Sequence, residues 1–187
     1  MYILGISGSP RLEGNTDLLL ENSLEGARSR GAETEKVILN NLKFSPCQEC
    51  ADMLNNGNCK VKDDIQQVYQ KVLKADAVII ASPIFFGSLS AQTKMMIDRF
   101  QCAWRGKYLF NTDIFASKKR IGAFISVEAS ERQDFFDNAK AVIKNFFSVI
   151  NAVYKEEFFC AGLDEKGSVL RHADFLKQAF ELGLRIC

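Results

Sequence analysis

Apolar positions along the chain follow two periods, and segments of one period alternate with segments of the other. Tyr2–Ile6 is an apolar run of strand length, and in residues 16–28 Leu18, Leu19, Leu24 and Ala27 recur at helical spacing before Gly31 ends the helix. Glu33–Leu39 alternates polar and apolar, as a half-exposed or edge strand does. Residues 41–62 are polar, carry Pro46, three cysteines and Asn55-Asn56-Gly57-Asn58, and read as a long loop. Asp63-Asp64 suits a helix start, with the helix reaching about Lys74. Ala77-Val78-Ile79-Ile80 is wholly apolar, the pattern of a central strand over 77–81 covered on both faces. A loop over 82–88 leads to a helix from about Ser90 to Trp104. Strands over 121–127 and 154–160, with helices over 134–150 and 172–184, complete the chain. Five strand–helix alternations predict a doubly wound α/β fold, a single domain over 1–187.

Composition narrows the class. A chain of 187 residues can bury a real core, and its formal net charge of +1 gives no electrostatic reason for a nucleic-acid or membrane-surface partner. No apolar run approaches the roughly 20 residues that span a bilayer, and the N-terminus has no basic region before an apolar one. The expectation is a soluble, cytoplasmic protein. Six cysteines in a chain of this size do not form the framework of a small secreted domain.

The chemistry concentrates in three loops that follow strands, where ligands bind in such folds. The first is Ser7-Gly8-Ser9-Pro10-Arg11-Leu12-Glu13-Gly14-Asn15-Thr16. A helix start with hydroxyls and one arginine is built to hold a phosphate. It is not a Walker loop, because Asn15 and not lysine follows Gly14 and the glycine interval is one residue too long. Gly5, Gly8 and Gly14 also miss the dinucleotide spacing, and the second strand ends in Leu39-Asn40-Asn41 without an acid for a ribose hydroxyl. A monophosphate bound without metal remains, and FMN is the candidate. The second loop, Ser82-Pro83-Ile84-Phe85-Phe86-Gly87-Ser88, offers aromatic surface for a flat ring, or two phenylalanines that simply pack on the sheet. The third, Ser126-Val127-Glu128-Ala129-Ser130-Glu131, has no glycine and two acids, with Ser130 also suited to cap a helix.

Taken together, Gly5-Ile6-Ser7-Gly8-Ser9-Pro10-Arg11 with Gly14-Asn15-Thr16, then Ala81–Ser88, then Ala91-Gln92, Lys94 and Ile97-Asp98-Arg99, resemble the flavodoxin-like NADPH-dependent FMN reductases and, within them, the iron–sulfur flavoproteins. The resemblance is close over the first hundred residues and holds beyond them through element order. It implies a flavodoxin-like three-layer sandwich with a five-stranded parallel sheet in the order 2-1-3-4-5. It also implies that Ser9, Arg11, Asn15 and Thr16 hold the FMN phosphate while Ser82, Pro83, Ile84, Phe85, Phe86 and Gly87 line the flavin. The activity implied is electron transfer from NAD(P)H through FMN to a small acceptor such as free flavin or quinone. An electron-transfer flavoprotein serving a protein partner, and a non-catalytic flavin-fold module, are the alternatives. The flavin does the redox chemistry, so no catalytic side chain is required, and the chain's single His172 reads as a surface residue.

Two departures from that family bear on function. Iron–sulfur flavoproteins carry four loop cysteines, the first three spaced C-x-x-C-x-x-C; Cys47, Cys50 and Cys59 match the first, second and fourth, and Met53 stands at the third. Three thiols leave open a cluster with one open iron, a zinc site, a Cys47–Cys50 disulfide or an inert loop, and a complete four-iron cluster is not expected. In the third loop, Glu128 and Glu131 replace the glycine-rich turn common in the family and place negative charge near the flavin. Met95 and Met96 read as core filling. Phe100, Trp104, Tyr108, Phe110 and Phe115 suggest a subunit interface, as of a homodimer or homotetramer, or a wall over the flavin.

Overall fold

A computed structural model describes residues 1–50 and 56–187; the third cysteine-loop position, Met53, lies outside the described residues. Five parallel strands form the sheet: β1 (Tyr2–Ser7), β2 (Glu33–Ile38), β3 (Ala77–Phe85), β5 (Arg120–Val127) and β6 (Ala152–Cys160), in the order β2-β1-β3-β5-β6. A two-residue strand β4 (Ser88–Leu89) folds back antiparallel on the end of β3. Counting parallel strands alone, this is the flavodoxin order 2-1-3-4-5. β1 lies between β2 and β3, with Ile3 opposite Thr34 and Ala77, and β3 pairs on its other side with β5.

Alternate strand residues serve opposite faces, which gives the sandwich its three layers. Leu4, Ile6, Val78, Ile80 and Phe124 pack with Val68 and Val72 of α2 (Ile65–Lys74), Met96 of α3 (Ala91–Arg99) and Ile143 and Phe147 of α5 (Gln133–Val149). Ile3, Ile79 and Ile125 face the other way, onto Leu20 and Leu24 of α1 (Asn15–Ser29) and Ala179 and Leu182 of α6 (Ala173–Arg185). Val78, Ile79 and Ile80 are 0% exposed, so each contributes about 1.5–3 kcal/mol of burial. The tight contact of α1 with α6 depends on Gly26 and Gly183: a Cβ on either would lie about 2 Å from a backbone carbonyl of the facing helix. Ser23 Oγ bridges the same seam, donating to the Ala179 carbonyl at 2.8 Å.

Two expectations are corrected here. The single helix over 90–104 is two, α3 and α4 (Gln101–Leu109), broken at Phe100. There the buried Tyr69 hydroxyl donates to the Arg99 carbonyl, with the Cys102 thiol 3.5 Å from the same oxygen. The 82–88 segment is not all loop: β3 runs on to Phe85 and turns through Phe86 and Gly87, both at positive φ, into β4. Two left-handed residues at the tip of a two-residue hairpin match the twist of the strands they join. Among the described residues no helix is long and apolar enough to cross a membrane.

Candidate functional site

The loops at the carboxyl ends of β1, β3, β5 and β6 converge. Gly8 continues the β1 ladder, its N–H donating to the Ala81 carbonyl at 2.7 Å, while Ser90 Oγ donates to the Gly8 carbonyl at 2.6 Å. Only glycine fits there, because a Cβ would sit 1.8 Å from Thr93 Oγ1. Ser9 Oγ closes a small turn, accepting from the Arg11 N–H at 3.1 Å and donating to the Arg11 carbonyl at 3.0 Å. Asp17 reaches back to the N–H of Glu13, which stands at φ 55°. The extended Gly14 then starts α1, whose ladder opens with Leu18 N–H to Gly14 O at 3.0 Å. The N–H groups of residues 15–17 precede that ladder and give the helix end its positive potential.

That helix end forms one wall of a cavity of about 160 Å³. Of the sequence-predicted residues, Ser9, Arg11, Asn15, Thr16, Pro83, Ile84 and Phe85 line it together. Asn15 lines it with its side chain already spent: the amide donates to the Glu165 carbonyl at 2.9 Å and to Ser168 Oγ at 3.1 Å, and its oxygen accepts from Val169 N–H at 3.0 Å. Arg11 is exposed and gives one guanidinium N–H to the Asp164 carbonyl at 3.0 Å, out of five available donors. Ser82 is fully buried beneath the cavity, where its Oγ accepts the Ser90 N–H at 3.0 Å. Phe86 points fully into solvent, and Gly87 packs against Phe135 and accepts from Asn138 Nδ2 at 2.7 Å. Neither of these two lines the cavity. Sequence reasoning missed Leu163 and Asp164, which do. The signal was the pair Gly162 and Gly167, both at positive φ, bracketing a shaped turn after β6.

The third loop contributes Val127, Glu128 and Ala129. Glu128 is held from both sides, its N–H donating to the Cys160 carbonyl at 3.0 Å and its carbonyl accepting from Leu163 N–H at 3.1 Å. The residue is 4% exposed; Oε1 accepts the Arg132 N–H at 2.8 Å, and Oε2 is buried without a partner. Glu131, its expected companion in the cavity, is exposed and lies outside the lining. The cavity therefore combines cationic and N–H donors, at Arg11 and the α1 terminus, with a carboxylate on Glu128. A ligand that carries both a phosphate and N–H or O–H donors fits this set.

The cysteine loop is organised around a different charge. Arg99 is buried, with Asp63 Oδ2 at 2.6 Å, the Ser45 carbonyl at 2.9 Å, and Cys59 Sγ and the Val61 carbonyl each at 3.3 Å. Burial works against charge on Asp63, yet Arg99 and the Ser45 and Ile65 N–H groups outweigh it and hold the carboxyl below its usual range. Cys47, Cys50 and Cys59 are free and half-buried. Among the described residues no group of three His, Cys, Asp or Glu side chains could hold a metal. Burial pushes the Cys102 thiol up to about 11 and the Cys160 thiol to about 12, so both are inert core residues. His172 is exposed and stacks on Phe175 at 5.1 Å. Of the aromatic set, Phe100 and Phe115 are core, whereas Trp104, Tyr108 and Phe110 stay exposed. Trp104 and Tyr108 border a second cavity of about 400 Å³ between α3, α4 and α5, away from the strand ends.

Comparison with known proteins agrees with this geometry. Residues 1–162 match the family described as NADPH-dependent FMN reductase. An iron–sulfur flavoprotein of Methanocaldococcus jannaschii is 36% identical over 149 residues, covering 80% of this chain and 72% of its own length. One of Methanosarcina thermophila is 36% identical over 130 residues, covering 70% of this chain and 64% of its own. The fold of an NAD(P)H:quinone oxidoreductase from Methanothermobacter marburgensis superposes with a TM-score of 0.71 at 16% identity, over 100% of this chain and 99% of that one. With its parallel sheet in flavodoxin order and its phosphate-type loop at the head of α1, the chain belongs to the NADPH-dependent FMN reductase family.

Proposed function

We propose that the chain is an FMN-dependent oxidoreductase that passes electrons from NAD(P)H to a small acceptor such as free flavin or a quinone. The observation that carries this reading is one cavity lined both by the α1 terminus with Arg11 and by the apolar Pro83, Ile84 and Phe85. Such a site suits a phosphate attached to a flat, largely apolar ring. At about 160 Å³ the enclosed space is below the roughly 300 Å³ of a pocket that swallows a whole ligand. It holds the phosphate and its chain, and leaves the ring on the rim, open on one side to a nicotinamide. Ser9, Arg11 and the N–H groups of Asn15 and Thr16 take the phosphate. Pro83 to Phe85 take the ring, with Ser82 beneath them and Phe86-Gly87 forming the hairpin that ends the rim. Bound FMN supplies the redox chemistry. The residues of the chain bind it, orient it and fix which face is accessible. Assembly into a homodimer or homotetramer through the exposed Trp104, Tyr108 and Phe110 belongs to the same reading.

The test is reconstitution with FMN, removal of free flavin, and mixing with NADPH or NADH in a stopped-flow spectrometer. Bleaching of bound flavin, followed by turnover with free FMN or a quinone, is expected. If dithionite bleaches it and neither nucleotide does, the reductase reading falls to a second one: an electron-transfer flavoprotein serving a protein partner. That alternative is favoured by Cys47, Cys50 and Cys59 and by relatives named iron–sulfur flavoproteins. A complete four-iron cluster is not expected, because Met53 stands where the third ligand cysteine would be. Iron and sulfide analysis after anaerobic purification is expected to give fewer than four irons per chain.

A further inference from the structure

Among the described residues that line the cavity, Glu128 alone carries a buried side-chain oxygen that the fold leaves unanswered. Its partner oxygen accepts the Arg132 N–H at 2.8 Å, and the residue's own N–H and carbonyl are tied to Cys160 and Leu163, which fixes where the side chain starts. Arg11, the only cation among the described residues lining the cavity, donates to the Asp164 carbonyl and makes no ion pair with Glu128. A buried, unpaired carboxylate oxygen carries a substantial desolvation penalty that a ligand donor relieves. A phosphate cannot provide that relief, because it is itself an acceptor and an anion. A ligand group that satisfies this oxygen must therefore carry an N–H or O–H.

We propose, on the FMN reading above, that Glu128 is a specificity and redox-setting residue: its carboxylate accepts a hydrogen bond from the flavin's ring N–H or side-chain hydroxyls. Its fixed charge makes the site hold oxidised flavin in preference to reduced. Bound flavin would be neutral when oxidised and, after taking up two electrons and one proton, anionic near neutral pH. A carboxylate held close by in a place sheltered from water would repel that anion, whereas toward the neutral form it contributes only the hydrogen bond. The residue thus keeps the bound flavin strongly reducing, which suits a protein that hands electrons onward.

Glu128→Gln tests this with readouts independent of turnover. It keeps the Arg132 contact and the side-chain shape, removes the charge and turns the free acceptor into a donor. Oxidised FMN, followed by fluorescence quenching, is expected to bind about tenfold more weakly. The ratio of reduced-to-oxidised dissociation constants is expected to fall about tenfold, read by spectroelectrochemistry as a midpoint about 30 mV higher. Glu131→Gln makes the same charge change on the exposed side of the loop and should leave both values at wild type. If the Glu128→Gln and wild-type titrations and potentials coincide while wild type binds FMN, Glu128 is only a cap for Arg132 and the inference is overturned alone. If wild type takes up no FMN at all, the flavin reading is overturned and this inference with it. An unchanged thermal midpoint in Glu128→Gln shows that any loss is not one of folding.

Discussion

The loop after β1 and the loop after β2 both bear the residues that suggest chemistry, and they are built by opposite means. The first is shaped by its own backbone. Gly8 completes the β1–β3 ladder, Ser9 and Arg11 close a turn two residues apart, and Gly14 opens α1, so the N–H groups at the helix start are presented by local geometry. The second is shaped by a residue from elsewhere. Arg99, on α3, reaches Ser45 on one side of the cysteine loop and Cys59, Val61 and Asp63 on the other, tying its neck around a single buried guanidinium. One loop combines a helix start with an exposed Arg11, groups that suit an anion. The other has its charge already neutralised within the fold.

Removing Arg99 breaks this contrast most severely. Arg99→Ala leaves Asp63 charged and largely buried and strips three further acceptors of their donor. A loss of about 3–5 kcal/mol is expected, measured by urea unfolding, with amide exchange rising first around residues 45 and 59–63. The same pair should be visible in acid. Asp63 has a lowered folded value, so its contribution is complete above the unfolded carboxylate value of about 3.9 and disappears as pH falls through the folded one. Stability of Asp63→Asn should accordingly fall less steeply than wild type between about pH 4 and 2.

Within the phosphate-type loop, Asn15 and Arg11 separate structure from binding. Asn15→Ala deletes three hydrogen bonds to the 165–169 turn and strands the buried Val169 N–H, for a loss of about 1–3 kcal/mol of stability. Arg11→Ala touches an exposed side chain with one bond to Asp164, so the melting temperature should stay within about a degree or two. Its effect belongs to the ligand: FMN affinity should fall about tenfold, the lower end for a charge-assisted contact open to solvent. An Arg11→Ala protein that binds FMN normally would assign the phosphate to the backbone alone.

What the sequence made legible follows the same division. The strand order came through the family resemblance, whereas the doubly covered β3 and the helix start at Gly14–Thr16 were readable because each rests on neighbours in the chain, an apolar run and a glycine before a helix. The split of α3 from α4 was not, because it depends on a hydroxyl from Tyr69, 30 residues away, taking the Arg99 carbonyl. The apolar spacing across Ile97 and Phe100 continues through that break and hides it. Asn15 entered the expected phosphate set through the family resemblance; only the fold brings the 165–169 turn, some 150 residues on, to its side chain. Glu128 was visible as a departure from a glycine-rich turn. That it and not Glu131 enters the cavity depends on how the end of β5 pairs with β6.

The smallest expected effect sharpens the comparison from within one helix. Lys94 and Arg99 both belong to the sequence signature that resembles the family, five residues apart on α3. Arg99 turns inward to the cysteine loop, whereas Lys94 Nζ pairs with Asp98 at 2.7 Å with both side chains nearly half exposed. An exposed pair one helical turn apart contributes about 0.3–0.5 kcal/mol. Lys94→Ala should therefore change the unfolding free energy by no more than that, and the change should vanish in about 1 M salt, where screening acts within about 3 Å. The Arg99–Asp63 pair, with its guanidinium shielded from solvent, should keep nearly all its effect in the same salt. A Lys94→Ala loss above about 1 kcal/mol, or one that survives salt, would mean that Lys94 supports the fold through the cavity it borders beside Trp104 and Tyr108 and not through Asp98.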